Sequence, residues 1–242
     1  MPEIELSTPQ FPATRWSVVL TASGCGTDAR AALEELCRLY WFPLYAFARQ
    51  RGCSPEDAED EVQDFLTQVA AGDFLAGAAP DRGRLRTYLL AAFQQDLIDA
   101  HRRAHRQKRG GHTQFVTLEA MEAETRFRST PMSDSAVAAY DRAWAMTCLD
   151  AAMSALEAEY STRERAVLFQ TLRSFLDPEH DGDYTVAGQA TGLMPNALRQ
   201  AVFRLRQRFR AHLRQSIAGT LDYPSESLID EELTALRNAL SA

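Results

Sequence analysis

Residues 184 to 214, YTVAGQATGLMPNALRQAVFRLRQRFRAHLR, restrict the fold more than any other stretch of this chain. Their punctuation and period suit two helices joined by a tight turn. Thr185 is placed to cap a short helix running through Gln189 or Ala190, Gly192 to end it in a left-handed conformation, and Pro195 to open a second helix. In that second helix Leu198, Val202, Leu205 and Phe209 recur at three- and four-residue steps and form one stripe for burial, while Arg199, Arg204, Arg206, Arg208 and Arg210 point elsewhere. The segment carries six arginines and no acidic residue in a chain whose net charge is −7. A helix held this way fits a major groove, its first residues toward bases and its later arginines toward phosphates. The competing interpretation is a solvated amphipathic helix on a bundle.

The acidic balance gives that local concentration its meaning. With a pI near 5.3, nucleic-acid contact has to rest on patches rather than on the field of the whole molecule. At 242 residues and 45% hydrophobic content, the chain has apolar material for one large or two small cores. No apolar run approaches the roughly 20 residues needed to cross a bilayer, and Glu3 and Glu5 stand where a secretion signal would carry positive charge. A cytoplasmic protein without membrane insertion is expected. Cys25, Cys37, Cys53 and Cys148 form no CxxC pair, which fits free thiols in a reducing compartment.

Helical periodicity dominates and no stretch reads as a strand. Asp28 to Arg51 carries Leu33, Leu36, Leu39, Tyr40, Leu44, Phe47 and Ala48 at helical steps, with Pro43 expected to kink or break it and Gly52 to stop it. Ser54, Pro55 and Asp57 then supply a cap, a first-turn proline and a capping-box-like acid. From Ser54 to about Ala71, Ala58, Val62, Phe65, Leu66 and Val69 define a face for burial, and Glu56, Asp57, Glu59, Asp60, Glu61 and Asp64 fill the other. Such crowding repels, although the acids of the first turn gain from the helix dipole. The acidic face suits either plain solvation or the docking of a basic partner. Residues 84 to 109 form another long helix with a strongly basic end, which Gly110 and Gly111 terminate. Mixed composition over 112–133 marks a linker, after which helices are expected over 134–160 and 162–176, and an acidic one over 227–239.

Catalytic and metal-binding patterns are weak. The loop DPEHDGD, Asp177 to Asp183, resembles the start of a calcium loop, but its twelfth position is Gly188 where a bidentate glutamate is required. His101 and His105 have zinc-binding spacing, yet Arg102, Arg103 and Arg106 would repel a dication. There is no phosphate-loop, dinucleotide or nucleophile-elbow motif. No cofactor, no metal and no enzymatic activity are expected.

The order of one acidic helix, two basic segments and a carboxyl-terminal helix-turn-helix resembles bacterial RNA polymerase sigma factors of the extracytoplasmic-function (ECF) type, in the sigma-70 family. SPEDAEDEVQDFL, Ser54 to Leu66, is similar to the family's polymerase-docking helix, and the resemblance implies that Asp57, Asp60, Glu61, Gln63 and Asp64 meet core RNA polymerase. LRTYL, Leu85 to Leu89, followed by DAHRRAHRQKR resembles the helix that opens and reads the promoter minus-10 element. The resemblance implies that Arg86, Tyr88, Gln95, Arg102, Arg103 and Arg106 contact the minus-10 DNA. The carboxyl-terminal module resembles the minus-35 reader, with Asn196, Arg199 and Gln200 positioned for bases and Arg204 and Arg206 for backbone. TRWSVVL, Thr14 to Leu20, and the stretch from Tyr40 look like one branch of these factors.

The resemblance implies an all-α protein of two small helical domains joined by a linker, the second containing a helix-turn-helix. Residues 1–111 correspond to a docking and minus-10 domain, 112–133 to the linker, 134–218 to the minus-35 domain and 219–242 to an acidic extension. Core polymerase and promoter DNA are the implied partners, and an anti-sigma or other regulatory protein is compatible with it. In the extension, Leu228, Ile229, Leu233, Leu236 and Leu240 make an apolar stripe flanked by Asp230, Glu231 and Glu232, suited to folding back over a basic surface. The alternatives are a helix-turn-helix regulator that acts without polymerase, and a helical scaffold whose arginines only solubilise it.

Overall fold

The computed structural model describes residues 27–71, 84–106, 118–161, 163–177, 184–221 and 224–241, with the side chains of 27–33, 101, 103–106, 118–120, 163 and 164 excepted. Among the described residues the structure is all-α. The helices are α1 (Thr27–Gln50), α2 (Pro55–Ala71), α3 (Leu85–Arg106), α4 (Leu118–Ser129), α5 (Ala136–Glu159), α6 (Arg163–Leu172), α7 (Tyr184–Thr191), α8 (Pro195–Ala218) and α9 (Glu226–Ser241), with a 3-10 turn at Arg173–Leu176. They fall into two compact units: the described residues up to Thr147 together with Ala218 onward, and Cys148–Ile217. The first boundary therefore lies inside α5, and the last helix belongs with the first ones. The span 112–133, read from sequence as a linker, contains α4.

In the first unit α1, α2 and α3 pack on one another. Tyr40, Leu44, Phe47, Val62, Phe65, Leu89 and Phe93 are buried at their centre, where the Phe93 ring stands 5.1 Å from Phe65 and 6.2 Å, edge-on, from Phe47. The expected break at Pro43 is absent: α1 runs on through the buried proline to Gln50. It ends as the glycine predicts. Gly52 adopts φ +94°, the Cys53 amide donates to the Ala48 carbonyl at 3.1 Å and the Gly52 amide to Arg49 at 3.0 Å, the paired bonds of a Schellman end. Ser54 Oγ accepts from the Asp57 amide at 3.1 Å and donates to its carboxylate at 2.8 Å, fixing the start of α2. That short connection sets which side of α2 faces the core.

Polar contacts tie α4 to α1. Glu124 accepts from Arg49 Nε at 2.8 Å and Nη2 at 2.9 Å, from the Tyr45 hydroxyl at 2.8 Å, and from Arg128 at 2.7 Å. Led by the Arg49 guanidinium, these donors pull the Glu124 carboxyl down to about 2. Burial, reinforced by the Glu124 carboxylate, raises the Tyr45 phenol well above its ordinary value. Arg126 lies 4.1 Å over the Phe42 ring and Arg49 5.4 Å over Phe127, adding cation–π contacts on either side.

The second unit has its own core of Leu156, Phe169, Leu172, Phe175, Ala187, Leu198, Ala201, Val202 and Leu205. α7 begins at Tyr184, so Thr185 occupies its first turn rather than its cap. Gly192 ends it at φ +70°, its amide donating to the Gly188 carbonyl at 2.8 Å, and Pro195 opens α8 as expected. The Leu198 amide donates to the Met194 carbonyl at 2.9 Å, closing the first turn of α8. Thr14 to Leu20, Cys25, the helix stop at Gly110 and Gly111, and the loop segment 178–183, all singled out in the sequence, lie outside the described residues.

Candidate polymerase and nucleic-acid interfaces

The acidic side of α2 follows from its capped start and its period. With Ala58, Val62, Phe65, Leu66 and Val69 buried, Asp57, Asp60, Gln63 and Asp64 are exposed and Glu61 is half-buried. Glu59, the remaining acid of the middle turns, is buried. The exposed carboxylates form a surface to which cationic groups are attracted.

α3 divides by position. Toward its basic end Gln95 and Arg102 are exposed, and both contact Asp99: Gln95 Nε2 donates to Oδ2 at 3.2 Å and Arg102 Nη1 to Oδ1 at 3.4 Å. The side chains of Arg103 and Arg106, like those of His101 and His105, lie outside the described residues. Beside this end, a cleft of about 490 Å³ opens between α1 and α3, with Phe47, Leu97 and Ile98 in its walls and Arg51, Gln94 and Arg102 alongside. Apolar walls next to guanidinium groups suit a nucleobase and the phosphates that flank it.

The other end of α3 has different surroundings. Arg86 is engaged within the unit, its side chain only 13% exposed. Its Nη1 donates to Asp141 at 2.5 Å, its Nε lies 3.0 Å from Glu232 of α9, and its guanidinium sits 4.6 Å over the Trp144 ring. The Tyr140 hydroxyl donates to the Arg86 carbonyl at 3.0 Å. Burial raises the Asp141 carboxyl above its ordinary value against the opposing pull of Arg86. Tyr88 is half-buried.

In the second unit, the buried stripe of α8 leaves Asn196, Arg199 and Gln200 exposed along one line at its amino-terminal end. Arg199 Nη1 donates to Asn196 Oδ1 at 3.0 Å, so the two side chains are already oriented together. Phe203 continues this line one turn further and is 61% exposed. Sequence reasoning missed it, although the spacing 196, 199, 200, 203 is the complement of the stripe that reasoning used. The arginines beyond have different surroundings. Arg204 and Arg206 are both exposed, but Arg206 Nε donates to the Phe175 carbonyl at 2.9 Å and ties α8 to the 3-10 turn. Arg208 Nε donates to Glu159 at 2.9 Å, and His212 Nε2 lies 3.0 Å from the same carboxylate. Arg208 leads the contacts that lower the Glu159 carboxyl below its ordinary value.

Among the described residues no group of three or more potential ligands is placed to hold a metal, and no helix is long and apolar enough to cross a membrane. Comparison with curated proteins and with solved structures gives no match. A family model described as ECF sigma factor matches residues 27–181, from the first residue of α1 into the segment after the 3-10 turn. Because that match covers more than half of the chain, it establishes what the order of acidic and basic helices led us to expect: the chain belongs to the ECF sigma factor family.

Proposed function

We propose that this sigma factor binds core RNA polymerase through the exposed acidic side of α2 and contacts promoter DNA at two separate places. Asp57, Asp60, Gln63 and Asp64, with Glu61 at their edge, form the docking surface. The basic end of α3, with Gln95, Arg102, Arg103 and Arg106, engages the minus-10 element. The adjoining cleft takes a displaced base against Leu97 and Ile98 while Arg51 and Arg102 meet its phosphates. The amino-terminal line of α8, Asn196, Arg199 and Gln200, reads the minus-35 element from the major groove, and Arg204 contacts the backbone.

One observation carries this reading: carboxylates and guanidinium groups are exposed on different helices, each on the side opposite a well-packed apolar face. Two DNA contacts that are weak alone gain affinity once both are tethered to one polymerase. In a capture assay with core polymerase, Asp60→Lys with Asp64→Lys should abolish retention while leaving the far-ultraviolet circular dichroism spectrum unchanged. Arg199→Ala should be retained normally yet lose promoter-directed transcription. Equal effects of the two variants on both assays would overturn the division of labour.

A further inference from the structure

Glu232 is the least expected residue of α9. On the side that packs against the rest of its own unit, Ile229, Glu232 and Leu236 follow one another at helical steps, and all three are buried. The central one is a carboxylate only 1% exposed. It pairs with Arg84 Nε and lies 3.0 Å from Arg86 Nε, both at the start of α3, while Glu231 pairs with Arg84 Nη2 at 2.9 Å. At the far end of α9, Arg142 Nε donates to the Ala239 carbonyl at 3.4 Å. Leu228 and Leu240, counted from sequence in the apolar stripe, are exposed, which leaves Ile229 and Leu236 as the fully buried apolar contacts of this helix.

A carboxylate at the centre of a packing face is a costly way to glue a helix down, since an apolar side chain of similar volume generally does as well or better. What it provides is selectivity for guanidinium groups and a surface that water readily takes back on release. Two carboxylates shared between two arginines also reproduce the charge-assisted contacts that successive phosphates of a nucleic-acid strand make.

We infer that α9 is a dissociable occupant of the cationic start of α3, its Glu231 and Glu232 standing where promoter phosphates bind Arg84 and Arg86, so that tail docking and full minus-10 engagement exclude one another. This rests on the assignment of α3 to promoter contact. With α9 docked, Arg84 and Arg86 are occupied by its carboxylates; once α9 leaves, Arg84 loses both of these partners and Arg86 keeps Asp141 alone, so that the start of α3 joins the contact made by its basic end.

Hydrogen exchange on the full chain tests this directly, read peptide by peptide for the free protein, its complex with core polymerase, and that complex on a promoter fragment. α9 amides should be protected in the free protein and lose protection on the promoter, while α1 and α2 stay protected. Leu236→Ala, which loosens α9 without altering its carboxylates or α3, should strengthen promoter binding by polymerase about tenfold. Glu232→Gln should act in the same direction, and Arg102→Ala should weaken binding in either background. A promoter complex in which α9 keeps its protection, with Leu236→Ala leaving affinity unchanged, would overturn the exclusion and leave the sigma assignment intact. Failure of the wild-type chain and every variant to form any polymerase-dependent promoter complex would remove that assignment and this inference with it.

Discussion

The Glu124 carboxylate receives both Nε and Nη2 of Arg49, at 2.8 and 2.9 Å, across 75 residues of sequence. This two-point contact fixes the angle as well as the distance between α4 and α1, because a planar guanidinium meets a planar carboxylate in few orientations. Glu124→Gln keeps the shape but loses the charge and one acceptor. It should lower the stability of the first unit by about 1–3 kcal/mol in urea unfolding, with protection lost first along α4 in hydrogen exchange.

The same carboxyl makes that unit sensitive to acid. Its value of about 2 in the folded chain lies below the ordinary 4.5. The stability it contributes is therefore complete above about pH 4.5 and is lost as pH falls through that window toward 2. Urea midpoints measured between pH 5 and pH 2 should fall less steeply for Glu124→Gln than for the wild-type chain.

Gly188 and Gly192 should respond oppositely to alanine. Gly192 holds φ +70°, a conformation an added Cβ opposes, so Gly192→Ala should destabilise the second unit by about 1 kcal/mol or more. Gly188 is helical, and a Cβ there would meet the Leu193 carbonyl oxygen at 3.4 Å, an ordinary contact. Gly188→Ala should therefore stabilise by about 0.5 kcal/mol through helix propensity. Thermal unfolding monitored at Tyr184 or Tyr160 resonances distinguishes the two.

Arg204 and Arg206 differ in kind although they are two residues apart. Arg206→Ala removes the bond to the Phe175 carbonyl and should cost about 1 kcal/mol of stability. Arg204→Ala should leave stability within about 0.5 kcal/mol of wild type while weakening promoter binding and reducing its salt dependence.

Phe203 stands beyond Gln200 on the exposed line of α8, where an aromatic edge suits a thymine methyl group. Phe203→Ala should shift the minus-35 preference at one position in a randomised-promoter selection, with polymerase capture unchanged.

How much of this was legible in sequence depends on how far each interaction reaches along the chain. α2 was read almost to the residue because its cap, first-turn proline and buried face all lie within a few residues of one another. Gly192 and Pro195 were legible for the same reason. α4 was missed because Glu124 and Arg126 find their partners on α1, and nothing within residues 118–129 announces them. Arg86 and Glu232 illustrate the same limit. Read locally, Arg86 is a cation for promoter contact and Glu232 an acid flanking an apolar stripe; that the two meet, beside Asp141 and Trp144, is decided only in the folded unit. Pro43 shows the converse, since a strong local signal for a break yields to the burial of the helix on both sides of it.

Assignment of residues from Ala218 onward to the same unit as residues up to Thr147 has a consequence for biosynthesis. Of the helices described, α9 leaves the ribosome last, after all of Cys148–Ile217 has been made. At about 5–20 residues per second, the nascent first unit spends several seconds with Arg84 and Arg86 not yet met by Glu231 and Glu232. A chaperone or an acidic partner that acts during translation meets a face that the finished protein covers with its own tail.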